Sequence, residues 1–217
     1  MNSLDNRLKT AAGLCRRGKT AVDVGCDHAQ LACWLAMNVS SRVIASDVRD
    51  GPLDAARRTV AECGATNVDI VKSDGLAEID FADDVIICGM GGELIARIVS
   101  GCRFLSENTR FILQPMTKDD FLRRWLYKNG FEIEKELTAA EQTGDKVRRY
   151  VIMYARYTGA CADVDEYFAL TGKITDREYL ERLAVKLKKI AGRTTDEKRS
   201  DDLQKIVLKI SENIKGM

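Results

Sequence analysis

Several features that would point to common functional classes are scarce or missing in this chain of 217 residues. His28 is the only histidine, and none of the seven cysteines forms a C-x-x-C pair, so the usual ligand set of a zinc site is missing. An odd number of cysteines argues against a disulfide framework. No apolar run approaches the roughly 18 residues typical of a membrane helix, and the first residues lack the apolar segment of a signal peptide. We therefore expect a cytoplasmic protein without a metal site or a membrane partner, and nothing in the sequence indicates an obligate protein partner.

What the sequence does contain describes a globular protein with one basic segment. Hydrophobic residues make up 45% and charged residues 31% of the chain, which is long enough to bury a substantial core. The formal net charge is +1, but residues 171–217 alone carry +4, so the rest of the chain is weakly acidic. The C-terminal part is therefore the basic part of the molecule.

The stretch that organises the chain is residues 20–31. A β-branched run reaches Gly25, a polar turn carries Asp27 and His28, and an apolar helical pattern follows. In a parallel sheet such a turn lies at the carboxyl edge of the first strand, where the ligand crevice forms. A full G-x-G-x-x-G is missing, so the pattern favours a nucleoside with a short tail over a dinucleotide.

Strand and helix patterns alternate along residues 1–158, which predicts a Rossmann-like, doubly wound α/β domain. The predicted strands are residues 21–25, 42–46, 68–71, 85–88, 111–113, 131–137 and 148–157. The last two have no helix between them and are expected to pair as an antiparallel end of the sheet. The predicted helices include residues 3–16, 28–37, 51–64 and 121–128, the last preceded at 117–120 by a sequence that resembles a capping box.

Residues 159–217 contain no strand pattern and are expected to form a second unit. Apolar residues from Ile174 to Ile190 recur at helical spacing, residues 192–202 interrupt the pattern, and a second amphipathic stretch runs from Leu203 to Ile214. Two such helices predict an antiparallel helical hairpin, or coiled coil.

Two aspartates stand at predicted strand ends where a nucleoside would bind. Asp47, 22 residues after Gly25, is placed to accept hydrogen bonds from both ribose hydroxyls, and a helix cap or a solvated surface aspartate is the alternative. Asp74 could hold the exocyclic amine of adenine, although Asp-Gly turns also occur without a ligand. The run Gly89-Met90-Gly91-Gly92 follows the apolar fourth strand, where its glycines would let a ligand approach the backbone or would provide the tight turn of a helix start.

Five segments together resemble the successive motifs of the bacterial TrmK family. They are Asp-Val-Gly-Cys-Asp-His-Ala-Gln-Leu at 23–31, Ser-Asp-Val-Arg-Asp-Gly-Pro-Leu at 46–53, Ser-Asp-Gly-Leu at 73–76, Val-Ile-Ile-Cys-Gly-Met-Gly-Gly at 85–92 and Leu-Gln-Pro-Met at 113–116. The resemblance runs from about Leu4 to Tyr154. This chain departs from the family pattern at three positions. Gln30 replaces a tyrosine, and Met116 replaces an asparagine. Asp47 stands where the family often has glutamate, and it keeps the carboxylate.

Members of that family are S-adenosylmethionine-dependent methyltransferases that act on N1 of adenine 22 in tRNA. The resemblance therefore implies a class I S-adenosylmethionine methyltransferase domain, S-adenosylmethionine as cofactor and tRNA as partner, and it matches a helical C-terminal extension. The residues it assigns to the cofactor are Asp23, Gly25, Asp47, Val48, Asp74, Gly75, Gly89, Met90 and Gly91. Those assigned to the substrate are Gly92, Gln114 and Pro115.

The chemistry that the resemblance implies needs little proton transfer. Neutral adenine has an in-plane lone pair at N1, so a strong general base is dispensable, and catalysis would rest on alignment and on negative potential near the adenine cation that forms. Asp27 is our candidate for that potential. His28 would orient the reacting groups or assist the later loss of a proton from N6 of the methylated adenine. The alternative is that His28 only forms a hydrogen bond with its own backbone at the start of the helix.

N1 lies on the Watson–Crick edge, so the adenine must be splayed out of folded tRNA. Binding would then be electrostatic and based on shape, and the candidates for phosphate contacts include Arg7, Lys186 and Lys189. Each of these residues could also be a solvated surface charge. Together, a net positive hairpin beside a crevice favours tRNA.

Three other interpretations remain open. The first is a methyltransferase of a small molecule or a protein, with the hairpin as a dimer contact. The second is a non-catalytic RNA-binding module with a vestigial crevice, against which Asp23, Gly25, Asp47 and Asp74 argue. The third is a nicotinamide dehydrogenase, against which the missing pyrophosphate fingerprint argues.

Overall fold

A computed structural model describes residues 4–144 and 146–217 of the chain. The strands are β1 (Thr20–Val24), β2 (Arg42–Asp47), β3 (Val68–Lys72), β4 (Asp84–Gly91), β5 (Arg110–Thr117), β6 (Phe131–Thr143) and β7 (Lys146–Tyr157). The helices are α1 (Asn6–Ala12), α2 (Gln30–Asn38), α3 (Asp50–Cys63), α4 (Gly92–Ser100), α5 (Asp119–Lys128), α6 (Glu166–Thr171), α7 (Arg177–Ala191) and α8 (Glu197–Gly216). None of the helices in these ranges is both long and apolar enough to cross a membrane.

The strands form one sheet in the order β3-β2-β1-β4-β5-β7-β6. The first five strands run parallel to their neighbours, whereas β7 pairs antiparallel with both β5 and β6. The winding reverses between β1 and β4, which is the point where open α/β sheets form a ligand crevice at their carboxyl ends. The predicted doubly wound domain and its antiparallel end are confirmed.

Helices cover both faces of the sheet, and the central strand shows why. Val85 and Ile87 of β4 pack in the core that contains α4 and α5, whereas Ile86 packs in the core that contains α1 and α2. All three side chains are fully buried. Because successive residues of a strand point to opposite faces, a strand buried on both sides has no polar alternation.

The C-terminal helices α7 and α8 pack against each other along an apolar seam that includes Leu180, Leu187, Ile206 and Ile210, as the hairpin prediction required. The segment between them is shorter than the predicted interruption at 192–202, because α8 already begins at Glu197, with Asp196 as its N-cap. The short helix α6 was not predicted. It is six residues long, too short for a clear periodic pattern.

Several predicted boundaries are wrong. Ile174 lies before α7 and packs in the core beside the sheet rather than in the hairpin seam. The first helix ends at Ala12 instead of residue 16, and β6 and β7 are both longer than predicted. The capping box is absent, because the residue before α5 is Lys118 with a left-handed φ of +58° and no side-chain cap.

A buried ion pair fastens the C-terminal segment to the sheet domain. The side chains of Arg123 on α5 and Glu136 on β6 are fully buried, with Nε and Oε1 2.9 Å apart. Glu136 Oε2 accepts a hydrogen bond from the Lys173 N–H at 2.6 Å, and Arg123 Nη1 donates to the Ala169 carbonyl at 2.7 Å. Gly172 passes so close that any Cβ there would clash with Glu136. The pair therefore fixes where the chain enters the helical hairpin.

Candidate active site

The turn between β1 and α2 contains three residues in the left-handed region. Gly25, Asp27 and Ala29 have φ angles of +73°, +49° and +53°. The N–H groups of Gly25 and Cys26 donate to the Ser46 carbonyl of β2 at 2.8 and 2.9 Å. These two hydrogen bonds hold the turn against the end of β2, where Asp47 follows.

A pocket of about 340 Å³ opens beside this turn, and we call it the edge pocket. Its size falls in the range of roughly 300–1,000 Å³ that is usual for small-molecule sites. The residues that line it come from α1, β1, the turn, the start of α2 and the end of β4. They are Arg7, Leu8, Asp23, Gly25, Cys26, Asp27, His28, Gln30, Leu31, Cys88 and Gly89.

Two buried carboxyl groups make this edge of the sheet acidic. Asp23 and Asp47 are only 4% and 7% exposed. The pKa of Asp23 is raised to about 7, chiefly by burial; the Ala32 N–H and the Arg7 guanidinium act to lower it, and the charge of Asp47 acts to raise it. Asp47 Oδ1 accepts a hydrogen bond from the Arg49 N–H at 3.0 Å. A cationic or hydroxyl-bearing ligand is therefore favoured here.

The opposite wall of the edge pocket is a hydrogen-bonded unit around Gln114. The pairing register of β4 and β5 shifts at Gly89, which has a φ of +81°. The Gly89 N–H and Arg7 Nη1 both donate to Gln114 Oε1, at 3.0 and 2.8 Å. Gln114 Nε2 donates in turn to the Pro115 carbonyl at 2.8 Å. Arg7, predicted as a phosphate contact, is thus engaged with the protein and orients this wall.

Asp27 and His28 stand at the mouth of the edge pocket. Their side chains are 70% and 61% exposed, and His28 Nε2 lies 3.7 Å from Asp27 Oδ1. The left-handed φ of Asp27 turns this pair outward from the end of β1. The predicted catalytic pair is therefore accessible to a base that enters from outside.

The two cysteines of the edge pocket are not nucleophiles. Burial raises the pKa of the Cys26 thiol to about 12, and it raises that of Cys88 as well, so both are protonated at neutral pH. Within residues 4–144 and 146–217, no group of three or more His, Cys, Asp or Glu side chains is placed to hold a metal ion.

Some predicted cofactor residues lie outside the edge pocket. The Asp74 side chain is 63% exposed and forms an ion pair with Arg97 at 3.4 Å. Gly75 packs against Ile98 of α4, and Val48 is exposed. The contacts of these residues with a cofactor therefore stay predictions.

The glycine run after β4 has a partly structural explanation. Gly89 to Gly91 continue β4 rather than forming a loop. A Cβ on Gly92 would clash with the Lys118 carbonyl, so close packing of α4 accounts for this glycine without a ligand. The Met90 methyl group, in contrast, lies directly over Gly25, at the rim of the edge pocket.

A second depression, of about 470 Å³, lies between β7 and α7, and we call it the basic groove. It is lined by Pro115, Met116, Asp119, Arg148, Arg149, Tyr150, Val151, Tyr179, Arg182, Leu183 and Lys186. Two predicted substrate residues, Pro115 and Lys186, meet here. Lys189 lies in a separate shallow depression along α7 with Arg193.

Sequence reasoning missed several lining residues for two different reasons. Cys26, Leu31 and Cys88 lie inside the motifs but carry no distinctive chemistry. Arg148 and Tyr150 were assigned only to a strand, and nothing in their local pattern indicated that β7 continues past the end of its pairing with β5.

Comparisons with known proteins agree with this geometry. Residues 4–153 match the family described as Methyltransferase domain. The tRNA (adenine(22)-N(1))-methyltransferase of Bacillus subtilis (strain 168) is 37% identical over 143 residues, which are 64% of this chain and 60% of that protein. The match thus spans less than two thirds of the length of this relative.

Solved structures extend the likeness over nearly the whole chain. The B. subtilis m1A22 tRNA methyltransferase TrmK has a TM-score of 0.76 at 26% identity, covering 99% of this chain and 98% of that one. A candidate tRNA (m1A22) methyltransferase of Streptococcus pneumoniae, in complex with S-adenosyl-L-methionine, has a TM-score of 0.76 at 28% identity, covering 98% and 100%. The chain belongs to the methyltransferase-domain family, and its predicted membership of the TrmK family is confirmed.

Proposed function

We propose that this protein transfers a methyl group from S-adenosylmethionine to N1 of an adenine in tRNA, with adenine 22 as the target. The observation that carries the proposal is the edge pocket, where the buried Asp23 and the exposed Asp27–His28 pair meet at the switch point of the sheet, beside the buried Asp47 at the end of β2. The B. subtilis relative supports the reaction, and the S. pneumoniae complex supports the cofactor.

The residues present fit S-adenosylmethionine. Within the described ranges, the only bonded partner of the buried Asp47 carboxylate is Arg49, which leaves acceptor positions for ribose hydroxyls. A Cβ on Gly25 would clash with the Met90 methyl group, so this glycine lets Met90 pack over the turn that lines the edge pocket. We assign Asp47, Gly25 and Gly89 to holding the cofactor, with Asp23 supplying negative potential behind them. When bound, S-adenosylmethionine would supply a methyl group on a positively charged sulfur.

The side chains at the mouth of the edge pocket then act on the base. N1 of adenine attacks through its own lone pair, so the protein contributes orientation and electrostatic stabilisation rather than proton removal. The Asp27 carboxylate places a negative charge where the adenine cation forms. His28, next to Asp27, can take up a proton that the product later loses from N6.

The C-terminal segment supplies the binding surface for tRNA in this proposal. We assign residues 1–158 to the methyltransferase domain and residues 159–217 to a tRNA-binding extension, in which residues 171–217 carry a net charge of +4. Lys186 and Lys189 on α7 would contact phosphates. The reaction would take place in the cytoplasm, where tRNA is found.

Nucleoside mass spectrometry tests the proposal. An unmodified tRNA transcript with adenine at position 22 is incubated with the protein and S-adenosylmethionine, beside a matched transcript with guanine there. We expect 1-methyladenosine only from the adenine transcript. Cofactor binding without any methylated nucleoside, or equal methylation of both transcripts, would contradict the proposal.

A further inference from the structure

The basic groove combines positive charge with aromatic and apolar surface. Of the four cations that line it, Arg149 is paired with Asp176 at 2.9 Å and with Glu178, and Arg182 is paired with Glu178 at 2.9 Å. Arg148 and Lys186 are exposed, and no carboxylate among the described side chains lies within ion-pair distance of either. Two positive charges are therefore available to an anionic ligand.

The acidic residue in the groove is already engaged. Asp119 accepts a hydrogen bond from the Tyr179 hydroxyl at 3.3 Å and lies 3.2 Å from the Arg123 guanidinium. Met116 is 44% exposed, and Tyr150 is half-buried in the wall of the groove. These two side chains offer a surface on which a nucleobase can stack, since every base has a π-face.

The basic groove and the edge pocket share one wall. Arg7 lines the edge pocket and lies over the Tyr150 ring, 5.8 Å from its centroid, while Tyr150 lines the groove. A second link runs from Gly89 through Gln114 to the Pro115 carbonyl. If an RNA nucleotide is held at the edge pocket, the next nucleotide of that RNA would therefore reach the groove.

We propose that the basic groove holds the nucleotide adjacent to the methylated adenine, with its phosphate at Arg148 and Lys186 and its base on Tyr150 and Met116. This inference rests on the proposed function and adds a subsite to it. Splaying one base out of folded RNA exposes its neighbour as well, and a site that captures that neighbour stabilises the open form.

The phosphate part is tested with the double variant Arg148→Ala/Lys186→Ala in the full-length protein. Its matched control is Arg58→Ala/Lys128→Ala, which removes the same charges from α3, at the β3 edge of the sheet, and from the C-terminal end of α5, nine residues after the groove residue Asp119. We expect the groove variant to raise the Kd for tRNA about tenfold or more and to reduce the slope of log Kd against log salt by about 1.4, as two single-strand phosphates imply. S-adenosylmethionine affinity, measured by calorimetry, is expected to be unchanged.

The base part is tested with tRNA that carries an abasic nucleotide on the 5′ or the 3′ side of the target adenine. We expect Tyr150→Leu to lower kcat/KM several-fold on intact tRNA but not on one of the abasic substrates, whereas Tyr150→Phe retains activity. An equal loss on all substrates would show that Tyr150 acts only through Arg7, which would overturn the stacking assignment.

The two proposals fail in different ways. If the unaltered protein methylates no tRNA, the proposed function is wrong. If it methylates tRNA and the groove variant matches the control variant in tRNA affinity and salt slope, the proposed function stands and the groove assignment is overturned.

Discussion

The edge pocket and the basic groove share a wall but are built from different parts of the chain. The edge pocket is formed by short turns at strand ends, with buried aspartates and positive-φ residues that the backbone holds in place. The groove is formed largely by long side chains on β7 and α7, elements of two different structural units with only the short helix α6 between them. In the proposed function, backbone geometry would hold the small cofactor at the edge pocket, whereas exposed cationic side chains would bind the polyanionic tRNA at the groove.

The largest expected effect concerns the Arg123–Glu136 ion pair, which fastens the segment before α7, and so the α7 wall of the basic groove, to the sheet domain. Glu136→Ala removes the fully buried partner of Arg123 and leaves only the partly exposed Asp119 beside that charge, and the loss of one partner of a buried pair typically costs about 3–5 kcal/mol. The control is Glu132→Ala on the same strand. The Glu132–Arg156 ion pair is exposed to solvent, and such pairs contribute about 1 kcal/mol or less to stability. Urea unfolding measures both values, and equal losses would show that the buried pair is not the link we describe.

The next effect separates chemistry from binding. Asp27→Asn removes the negative charge while keeping a residue that tolerates the left-handed φ. We expect kcat for tRNA methylation to fall about 100-fold, by analogy with the loss of one charge-stabilising group in other active sites. The affinities for S-adenosylmethionine and tRNA should change less than about twofold, within 0.4 kcal/mol. A fall in affinity with unchanged kcat would assign Asp27 to binding instead.

A smaller effect tests the backbone argument at the edge pocket. Gly25→Ala and Gly64→Ala both place a side chain at a positive φ, but only at Gly25 does the Cβ enter occupied space, under Met90. Both variants should lose about 1 kcal/mol of stability. Only Gly25→Ala is expected to weaken S-adenosylmethionine binding, by about tenfold, or 1.4 kcal/mol. Calorimetry on the two variants decides, and equal affinities would remove Gly25 from the cofactor site.

The last prediction concerns the pH dependence of stability. Burial raises the pKa of folded Asp23 from near 3.8 to about 7. The folded state therefore binds more protons than the unfolded state between these values, and the contribution of Asp23 to stability falls as pH rises through that window. Asp23→Asn should flatten the decline in Tm between pH 5 and pH 8 by about 5 °C or more, since two pH units of excess proton binding correspond to about 2.7 kcal/mol. Parallel Tm profiles for both proteins would show that Asp23 ionises normally.

The same contrast explains what the sequence could reveal. We predicted Gly25 and Asp27 of the edge pocket, and Asp47 beside it, because they lie at the ends of strands whose apolar patterns are visible locally. Their positions at one edge then follow from the handedness of parallel α/β connections. Asp74 was predicted by the same logic, but its exposure and its pairing with Arg97 depend on α4, which local pattern does not place.

The basic groove could not be predicted in this way. It depends on how far β6 and β7 extend beyond β5 and on the angle at which α7 leaves the sheet domain, and both are tertiary properties. The errors at Ile174 and at the capping box have a similar cause. Ile174 fits a helical stripe but packs in the sheet core, and the left-handed Lys118 replaces a side-chain cap with a tight turn.

The central claim is that the edge pocket performs the methyl transfer while the basic groove only holds tRNA. Single-turnover kinetics, with one equivalent of S-adenosylmethionine bound to the protein and tRNA in excess, together with tRNA Kd values, test it on Asp27→Asn and on Arg148→Ala/Lys186→Ala. We predict that the first variant slows the step at saturating tRNA with the Kd unchanged, and that the second raises the Kd with a normal rate at saturation. If both variants change rate and affinity together, the two regions are not separate in function and the account is wrong.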